Sequence, residues 1–139
     1  MIRELTKDRD VLGTKCSRAT AADADVAQDL LDTLASIDDC GCLAANQIGV
    51  TKSIIAYKDD KDETHVMYNP RIMMGLGASK VVEGCLTYDE ESTVVRYAKV
   101  KVAYESLVDG ELKSKRADLT GWVGEMVQHM IDHCNGRLV

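Results

Sequence analysis

The sequence predicts an α+β fold in which two amphipathic helices are separated by a run of antiparallel strands. Apolar residues recur at helical spacing after Thr20 and again before Asn135, whereas the chain from Ser53 to Ala117 alternates short β-rich segments with turn residues. With 139 residues and no internal repeat, the chain is expected to form one domain, residues 1–139, with a core of its own.

The first helix is predicted to follow an irregular segment, residues 1–19. It begins at the capping sequence Thr20-Ala21-Ala22-Asp23. The apolar residues after this cap recur at helical spacing: Val26, Leu30, Leu34 and Ile37. The helix is therefore expected to pack on the core by one side.

A segment of small residues, Cys40 to Gly49, comes next and has no regular period. We predict a loop here. It is either a tight connection between helix and sheet or a segment whose backbone approaches a ligand, because small side chains permit close approach.

The middle of the chain predicts strands at 53–57, 64–68, 80–86, 93–97, 99–105 and 111–117. Pro70 is expected to interrupt the pairing before Arg71, because proline has no N–H to donate. Gly75-Leu76-Gly77 predicts a turn, Asp89-Glu90-Glu91 a loop, and Asp109-Gly110 a hairpin.

The last element is a predicted helix that begins near Asp118 or Thr120 and ends at Asn135-Gly136. One stripe of this helix carries Trp122, Met126 and Met130.

The composition excludes several classes of protein. The net charge of −6 offers no electrostatic footprint for nucleic acid or for an anionic membrane surface. No apolar run approaches the roughly 20 residues that span a bilayer, and the first residues lack the apolar centre of a signal peptide. We therefore expect a cytoplasmic protein that binds neither nucleic acid nor membrane, and the sequence leaves its oligomeric state open.

Five cysteines lie at positions 16, 40, 42, 85 and 134. In a reducing compartment they are expected to be thiols, metal ligands or redox-active groups rather than a disulfide framework.

His129 and His133 stand four residues apart in the last helix, which places them on one face with roughly 5–6 Å between their Cβ atoms. Both imidazoles can then bind one metal ion, and Cys85 offers a third ligand. Three protein ligands leave one coordination position open, which is typical of catalytic rather than structural sites. His65 has no partner at ligand spacing and is expected on a solvated strand face.

Three segments in this order resemble the three signature motifs of the peptide deformylases. They are the loop Cys40 to Gln47, the strand Glu83 to Thr87 and the helix Gln128 to His133. The resemblance extends over nearly the whole chain and implies antiparallel sheets around a metal-binding C-terminal helix. It also implies metal-dependent hydrolysis of the formyl group from N-formylmethionyl peptides.

The resemblance assigns roles to individual residues. Cys85, His129 and His133 would bind a divalent metal, usually Fe²⁺, with Zn²⁺, Ni²⁺ or Co²⁺ also suited to this ligand set. The Gln47 amide and the Leu86 backbone N–H would hold the formyl oxygen as its negative charge builds. The remaining roles concern substrate contacts: Gly41 and Cys42 would lie beside the peptide backbone, and Trp122, Glu125 and Met126 beside the methionine side chain. A charged residue at position 125 is unexpected in such a pocket.

One catalytic position departs from the family pattern, in which a glutamate follows the first histidine of the helix. Here that position is Met130. The glutamate takes a proton from the attacking water and passes one to the departing amine, whereas a thioether is a weak acceptor that does not titrate. A positioned acid or base is worth about 10²–10⁴-fold in rate, so deformylation is predicted to be weak or absent.

The loop Cys40 to Gln47 also departs from the family pattern, because Cys40 and Cys42 replace two of its glycines. They are either tolerated small residues or a redox-active pair. Two hypotheses follow. The chain is either a weak hydrolase of formylated peptides or of another small formyl or acyl substrate, or a non-catalytic relative that binds a metal or a peptide N-terminus or senses a redox signal. We also predict that Arg96 pairs with Asp132 and braces the helix that carries the ligands.

Overall fold

The computed structural model describes residues 1–139 and has the predicted α+β architecture. Its helices are α1 (Arg9–Leu12), α2 (Ala24–Ser36) and α3 (Gly121–Cys134). Its strands are β1 (Cys42–Ala44), β2 (Ile54–Lys58), β3 (Thr64–Cys85), β4 (Tyr88–Val108) and β5 (Glu111–Thr120). The five strands form one antiparallel sheet in the order β1-β2-β3-β4-β5.

Helix α2 starts as the sequence predicts. A 3₁₀ turn at Ala21–Asp23 precedes it, and the Thr20 N–H donates to the Asp23 carboxylate at 2.8 Å while the Thr20 hydroxyl accepts from Ala22 N. This reciprocal cap satisfies backbone donors at the start of the helix. The predicted loop between α2 and the sheet contains regular structure that the sequence did not predict, namely β1 and a 3₁₀ turn at Ala45–Ile48.

The middle of the sheet is a long hairpin of β3 and β4, and here several predictions were wrong. Gly75 and Gly77 lie within β3 rather than in a turn, paired with β4 around Val100 and Tyr97. A Cβ atom on Gly75 would lie 2.3 Å from the Tyr97 ring, so this glycine permits close packing of a ring on the strand rather than a reversal of the chain.

Pro70 and the acidic segment also lie inside strands. The pairing shifts register between Tyr68 and Arg71, and this bulge accommodates Pro70 without ending the strand. Asp89, Glu90 and Glu91 belong to β4 rather than to a loop, and their side chains are exposed to solvent. The Asp109-Gly110 hairpin between β4 and β5 is confirmed.

Strand β2 lies between the two long helices, which explains why its residues 54–57 are all buried. Ile54 and Ala56 face the apolar cluster around Leu30 and Leu34 of α2, whereas Ile55 and Tyr57 face the cluster around α3. The α3 cluster includes Val127, Met130 and Ile131. Alternation along β2 therefore places the two helices on opposite faces of this end of the sheet.

Helix α3 is held firmly to the sheet and ends where the sequence predicts. The Gln128 side chain donates to the Tyr97 carbonyl and accepts from the Tyr97 N–H, both at 2.9 Å. Asn135 caps the helix, and Gly136 follows with φ +74°. This fixed helix carries most of the candidate site. No helix of the structure is both long and apolar enough to cross a membrane.

Candidate metal centre

Cys85, His129 and His133 converge, as the sequence predicts. Cys85 is the last residue of β3, and the two histidines lie on successive turns of α3. Their ligand atoms all lie within 4.8 Å of one another, and Cys85 Sγ is 3.4 Å from His133 Nε2. The three side chains could therefore hold one metal ion.

The electrostatics of the site prepare the Cys85 thiol for ligation, whereas His129 must lose a proton before it binds a metal. Burial alone would raise the pKa of the Cys85 thiol, but hydrogen bonds from His129 and His133 lower it to about 5. Burial opposes the charged form of His129 as well, yet Cys85 and Glu83 raise its pKa to about 9. Cys85 is thus a thiolate at neutral pH, which is the form that binds metals. One thiolate and two imidazoles suit borderline transition ions such as Fe²⁺, Zn²⁺, Ni²⁺ and Co²⁺.

The two imidazole rings are oriented differently. His129 Nδ1 lies 2.7 Å from Glu83 Oε1, and this contact leaves Nε2 available to a metal. The Nδ1 atom of His133 is buried without a hydrogen-bond partner, while the backbone carbonyl of His133 accepts from Asn46 Nδ2 at 2.8 Å. Only one of the two ligand rings is therefore oriented by a carboxylate.

A buried ionic network supports the histidine side of the centre. Arg96 donates to both oxygens of Glu83, at 2.7 and 3.0 Å, and to Asp132 Oδ2 at 2.7 Å. The expected pairing of Arg96 with Asp132 is thus present. Sequence reasoning missed Glu83 as the link between Arg96 and His129. Its position two residues before Cys85, and hence on the same strand face, was the available signal.

Gln47 reaches the centre from the 3₁₀ turn at Ala45–Ile48. Its Oε1 accepts from Ala44 N at 2.9 Å, and its Nε2 donates to Thr87 Oγ1 at 3.0 Å and lies 3.4 Å from Cys85 Sγ. These contacts fix the amide with its N–H₂ group toward the ligands. Leu86 follows Cys85 in the turn after β3, and its exposed side chain lines the cavity beside the ligands.

A cavity of about 270 Å³ opens beside the ligands. Every residue that the sequence associates with substrate lines it: Gly41, Cys42, Trp122, Glu125 and Met126. Met130 also lines the cavity and is 2% exposed. A Cβ atom on Gly41 would lie 2.6 Å from Met126 Sδ, so this glycine permits close packing of the Met126 side chain, and its contact with a peptide backbone remains a prediction.

Glu125 is a carboxylate in this cavity that forms no ion pair in the structure. Burial and the neighbouring Glu83 carboxylate both raise its pKa. Asp39 and Cys40 line the cavity as well, and the sequence analysis did not associate Asp39 with the site.

The loop cysteines lie outside the group of ligand atoms. Cys40 and Cys42 are free thiols, and Cys40 Sγ donates to the Cys42 carbonyl at 3.3 Å. Burial raises the pKa of Cys42 to about 12, so this thiol stays protonated at neutral pH. A redox role for the two thiols remains a prediction.

His65 lies on an exposed strand face, as expected, but the prediction that it has no partner at ligand spacing was wrong, because ligand atoms of Asp59, Glu63 and His65 lie within 4.8 Å of one another. Its Nε2 is 2.7 Å from Asp59 Oδ2, and its ring stacks on Tyr57 with centroids 5.1 Å apart. The chain turn between β2 and β3 brings Asp59 back to it, which spacing in sequence does not reveal.

The comparisons of this chain with known proteins all identify similarity to the same family. The family model described as polypeptide deformylase matches residues 2–139. The peptide deformylase of Clostridium beijerinckii is 33% identical over 140 residues, covering 100% of this chain and 100% of the relative. Two solved structures are similar. A peptide deformylase from Legionella pneumophila has a TM-score of 0.84 and 31% identity, covering 99% of this chain and 83% of its own. A class I type b peptide deformylase from Acinetobacter baumannii has a TM-score of 0.84 and 25% identity, covering 99% and 97%.

Proposed function

Because this chain belongs to the polypeptide deformylase family, we propose that it is a metal-dependent hydrolase of formylated peptide N-termini whose rate is strongly reduced by Met130. The observation that carries the proposal is the convergence of Cys85, His129 and His133 beside a cavity that Cys85 and His129 line.

In this proposal Cys85, His129 and His133 hold one divalent ion, Fe²⁺ by the family resemblance or Zn²⁺, Ni²⁺ or Co²⁺. Such an ion supplies Lewis-acid chemistry, because it polarises a carbonyl and lowers the pKa of water. Glu83 holds the His129 ring in place through the 2.7 Å contact at Nδ1.

Gln47 stabilises the negative charge that develops on the formyl oxygen. Its amide is fixed by Ala44 and Thr87, so it needs no reorganisation when the charge forms. The Leu86 backbone N–H is the second donor in this proposal. Gly41 and Cys42 border the peptide backbone, and Trp122, Glu125 and Met126 contact the first side chain.

Met130 removes the proton carrier. Its thioether lines the cavity, is almost fully buried and offers no titrating group at that position. The loss of a positioned acid or base predicts a rate about 10²–10⁴-fold below that of a complete family member.

The burial of Met130 also favours a second candidate function, in which the chain binds a metal and a peptide N-terminus without catalysis. The apolar Met130 side chain lines the cavity beside the ligands, while all three ligands and Gln47 are in place.

The test is an assay of formyl-Met-Ala-Ser hydrolysis by the Fe²⁺-loaded protein beside its Met130→Glu and Met130→Gln variants. Glutamine matches glutamate in shape but does not titrate. We expect Met130→Glu to raise kcat/KM by about 10²–10⁴-fold and Met130→Gln to leave it near the wild-type value.

Wild-type turnover at the rate of a complete deformylase would refute the role assigned to Met130, because another group would then carry the proton. If Met130→Glu folds and binds metal but remains inactive, the non-catalytic candidate is supported. Thermal unfolding of each variant controls for the introduction of a carboxylate at a buried position.

A further inference from the structure

The cavity beside the candidate metal centre has an unbalanced negative charge. Three acidic residues line it, Asp39, Glu83 and Glu125, and no lysine or arginine does. Glu83 is balanced by two hydrogen bonds from Arg96 and by the contact with His129. Glu125 forms no ion pair with a basic side chain and hydrogen-bonds the Glu83 carboxylate instead, so no cation of this chain is its partner.

The surroundings of Glu125 make an uncharged occupant unfavourable. Trp122 and Met126 are apolar neighbours in the lining, and an apolar side chain placed against Glu125 would remove water from a carboxylate without replacing its hydrogen bonds. Burial and the neighbouring Glu83 raise the pKa of Glu125, which favours its protonated form in the empty cavity. A cationic side chain beside Glu125 would favour the ionised form and supply the counter-charge that this chain lacks.

Trp122 provides a second feature that suits a cation. Its side chain is 66% exposed yet lines the cavity, so the indole is presented to a ligand rather than used in the core. An ammonium or guanidinium group near an indole face gains an electrostatic attraction, and such a group can at the same time pair with a carboxylate.

We infer that the cavity selects a formylated peptide whose first side chain is cationic, with Glu125 as the counter-ion and Trp122 as an aromatic wall. The inference rests on the proposed function in taking the ligand to be a formylated N-terminus, and it names the class of side chain. A lysine side chain fits the chemistry, because its methylenes pack along Met126 and Trp122 while its ammonium group reaches Glu125.

The test measures binding rather than turnover. Trp122 is the only tryptophan of the chain, so its fluorescence reports ligands that enter the cavity. We would titrate the Zn²⁺-loaded and the metal-free protein with formyl-Lys-Ala-Ser and with formyl-norleucine-Ala-Ser, whose first side chain lacks only the ammonium group. Formyl-Met-Ala-Ser is the third ligand, and isothermal calorimetry provides a measurement that does not depend on the indole.

We expect formyl-Lys-Ala-Ser to bind about tenfold or more tightly than either uncharged peptide, as a partly buried charge-assisted contact implies. The preference should decline as salt is raised from about 0.05 to 0.5 M, because ions screen a partly exposed pair. Glu125→Gln should bring the three affinities within about twofold of one another, because glutamine keeps the size of the side chain without its charge. Glu91→Gln, an exposed carboxylate on β4 outside the cavity lining, is the matched control for net charge and should retain the preference.

Equal or tighter binding of the uncharged peptides to the wild type would overturn the inference, as would a lysine preference that survives Glu125→Gln. Failure of all three peptides to bind would overturn it too. The outcome is separable from that of the proposed function, because inactivity of Met130→Glu would refute catalysis without altering a measured binding preference.

Discussion

Glu83 Oε1 lies 2.7 Å from His129 Nδ1, and the same carboxylate accepts two hydrogen bonds from Arg96. The side chains of Glu83 and Arg96 are each 7% exposed, so neither charge is satisfied by solvent. One carboxylate therefore both orients a candidate ligand and balances a buried guanidinium. The energetic consequences of removing it should appear in metal affinity and in folding.

We predict that Glu83→Gln weakens Zn²⁺ affinity by about 10–100-fold, because the His129 ring loses its charged acceptor. It should also lower the free energy of unfolding by about 3 kcal/mol, because Arg96 is left buried with one fewer counter-ion. Chelator competition and urea denaturation measure the two effects. Glu111→Gln is the control, since Glu111 pairs with Lys113 at 2.8 Å in solvent and such pairs contribute about 1 kcal/mol or less. Equal losses in both variants would contradict the role of Glu83.

A second prediction concerns the ligand set itself. Cys85→Ser should reduce Zn²⁺ bound after reconstitution from about one ion per chain to a small fraction, because a serine hydroxyl is a poor replacement for a thiolate. Elemental analysis of the dialysed protein measures the stoichiometry. Cys16→Ser is the matched control, because Cys16 lies outside the ligand group and should leave the stoichiometry unchanged. Unchanged metal content in Cys85→Ser would dismiss the proposed ligands.

The ligands were predictable from the sequence because their positions follow from local geometry. Four-residue spacing on a helix places His129 and His133 on one face whatever the rest of the fold does. Cys85 was found only because its flanking residues resemble a family motif, since no local rule relates it to a helix more than 40 residues away. Glu83 remained unassigned for the same reason, because its partners Arg96 and His129 come from two other elements.

The strands were harder to predict than the helices, because glycine and proline have more than one use. Gly75 looked like a turn residue, but its lack of a side chain makes room for the Tyr97 ring on the neighbouring strand. Pro70 looked like a break, but a register shift absorbs it. The structural role of each residue depends on the neighbouring strand, and the pattern of residues along a single segment carries no information about that strand.

Thiol reactivity provides a pH-dependent prediction. The pKa of Cys85 is lowered to about 5 by its two histidines, so in the metal-free protein its alkylation by iodoacetamide should rise with pH through about 5 rather than near 9. Mass spectrometry of peptides labelled at pH 6 should find Cys85 modified first, and added Zn²⁺ should protect it. Cys134 is the internal control, because burial raises its pKa to about 12 and it should remain unmodified. Labelling of Cys85 that begins only above pH 8 would contradict the thiolate.

The end of α3 provides a prediction about stability in which two glycines separate backbone strain from steric overlap. Gly136 has φ +74° and Gly110 has φ +81°, so alanine is strained at both positions, by about 1–2 kcal/mol. A Cβ atom on Gly136 would in addition lie 2.7 Å from the backbone nitrogen of Lys15, whereas one on Gly110 would meet nothing within 4 Å. We therefore expect Gly136→Ala to lower the free energy of unfolding by about 3 kcal/mol or more and Gly110→Ala by about 1 kcal/mol. Urea denaturation of the two variants measures the difference.

Amide exchange provides a second measurement of the overlap at Gly136. The segment that contacts Gly136 continues into Cys16, whose N–H donates to the Cys134 carbonyl at 2.9 Å. The larger loss of stability in Gly136→Ala should therefore come with faster amide exchange at Cys16. Equal destabilisation by the two substitutions would mean that the segment around Lys15 moves away at no energetic cost.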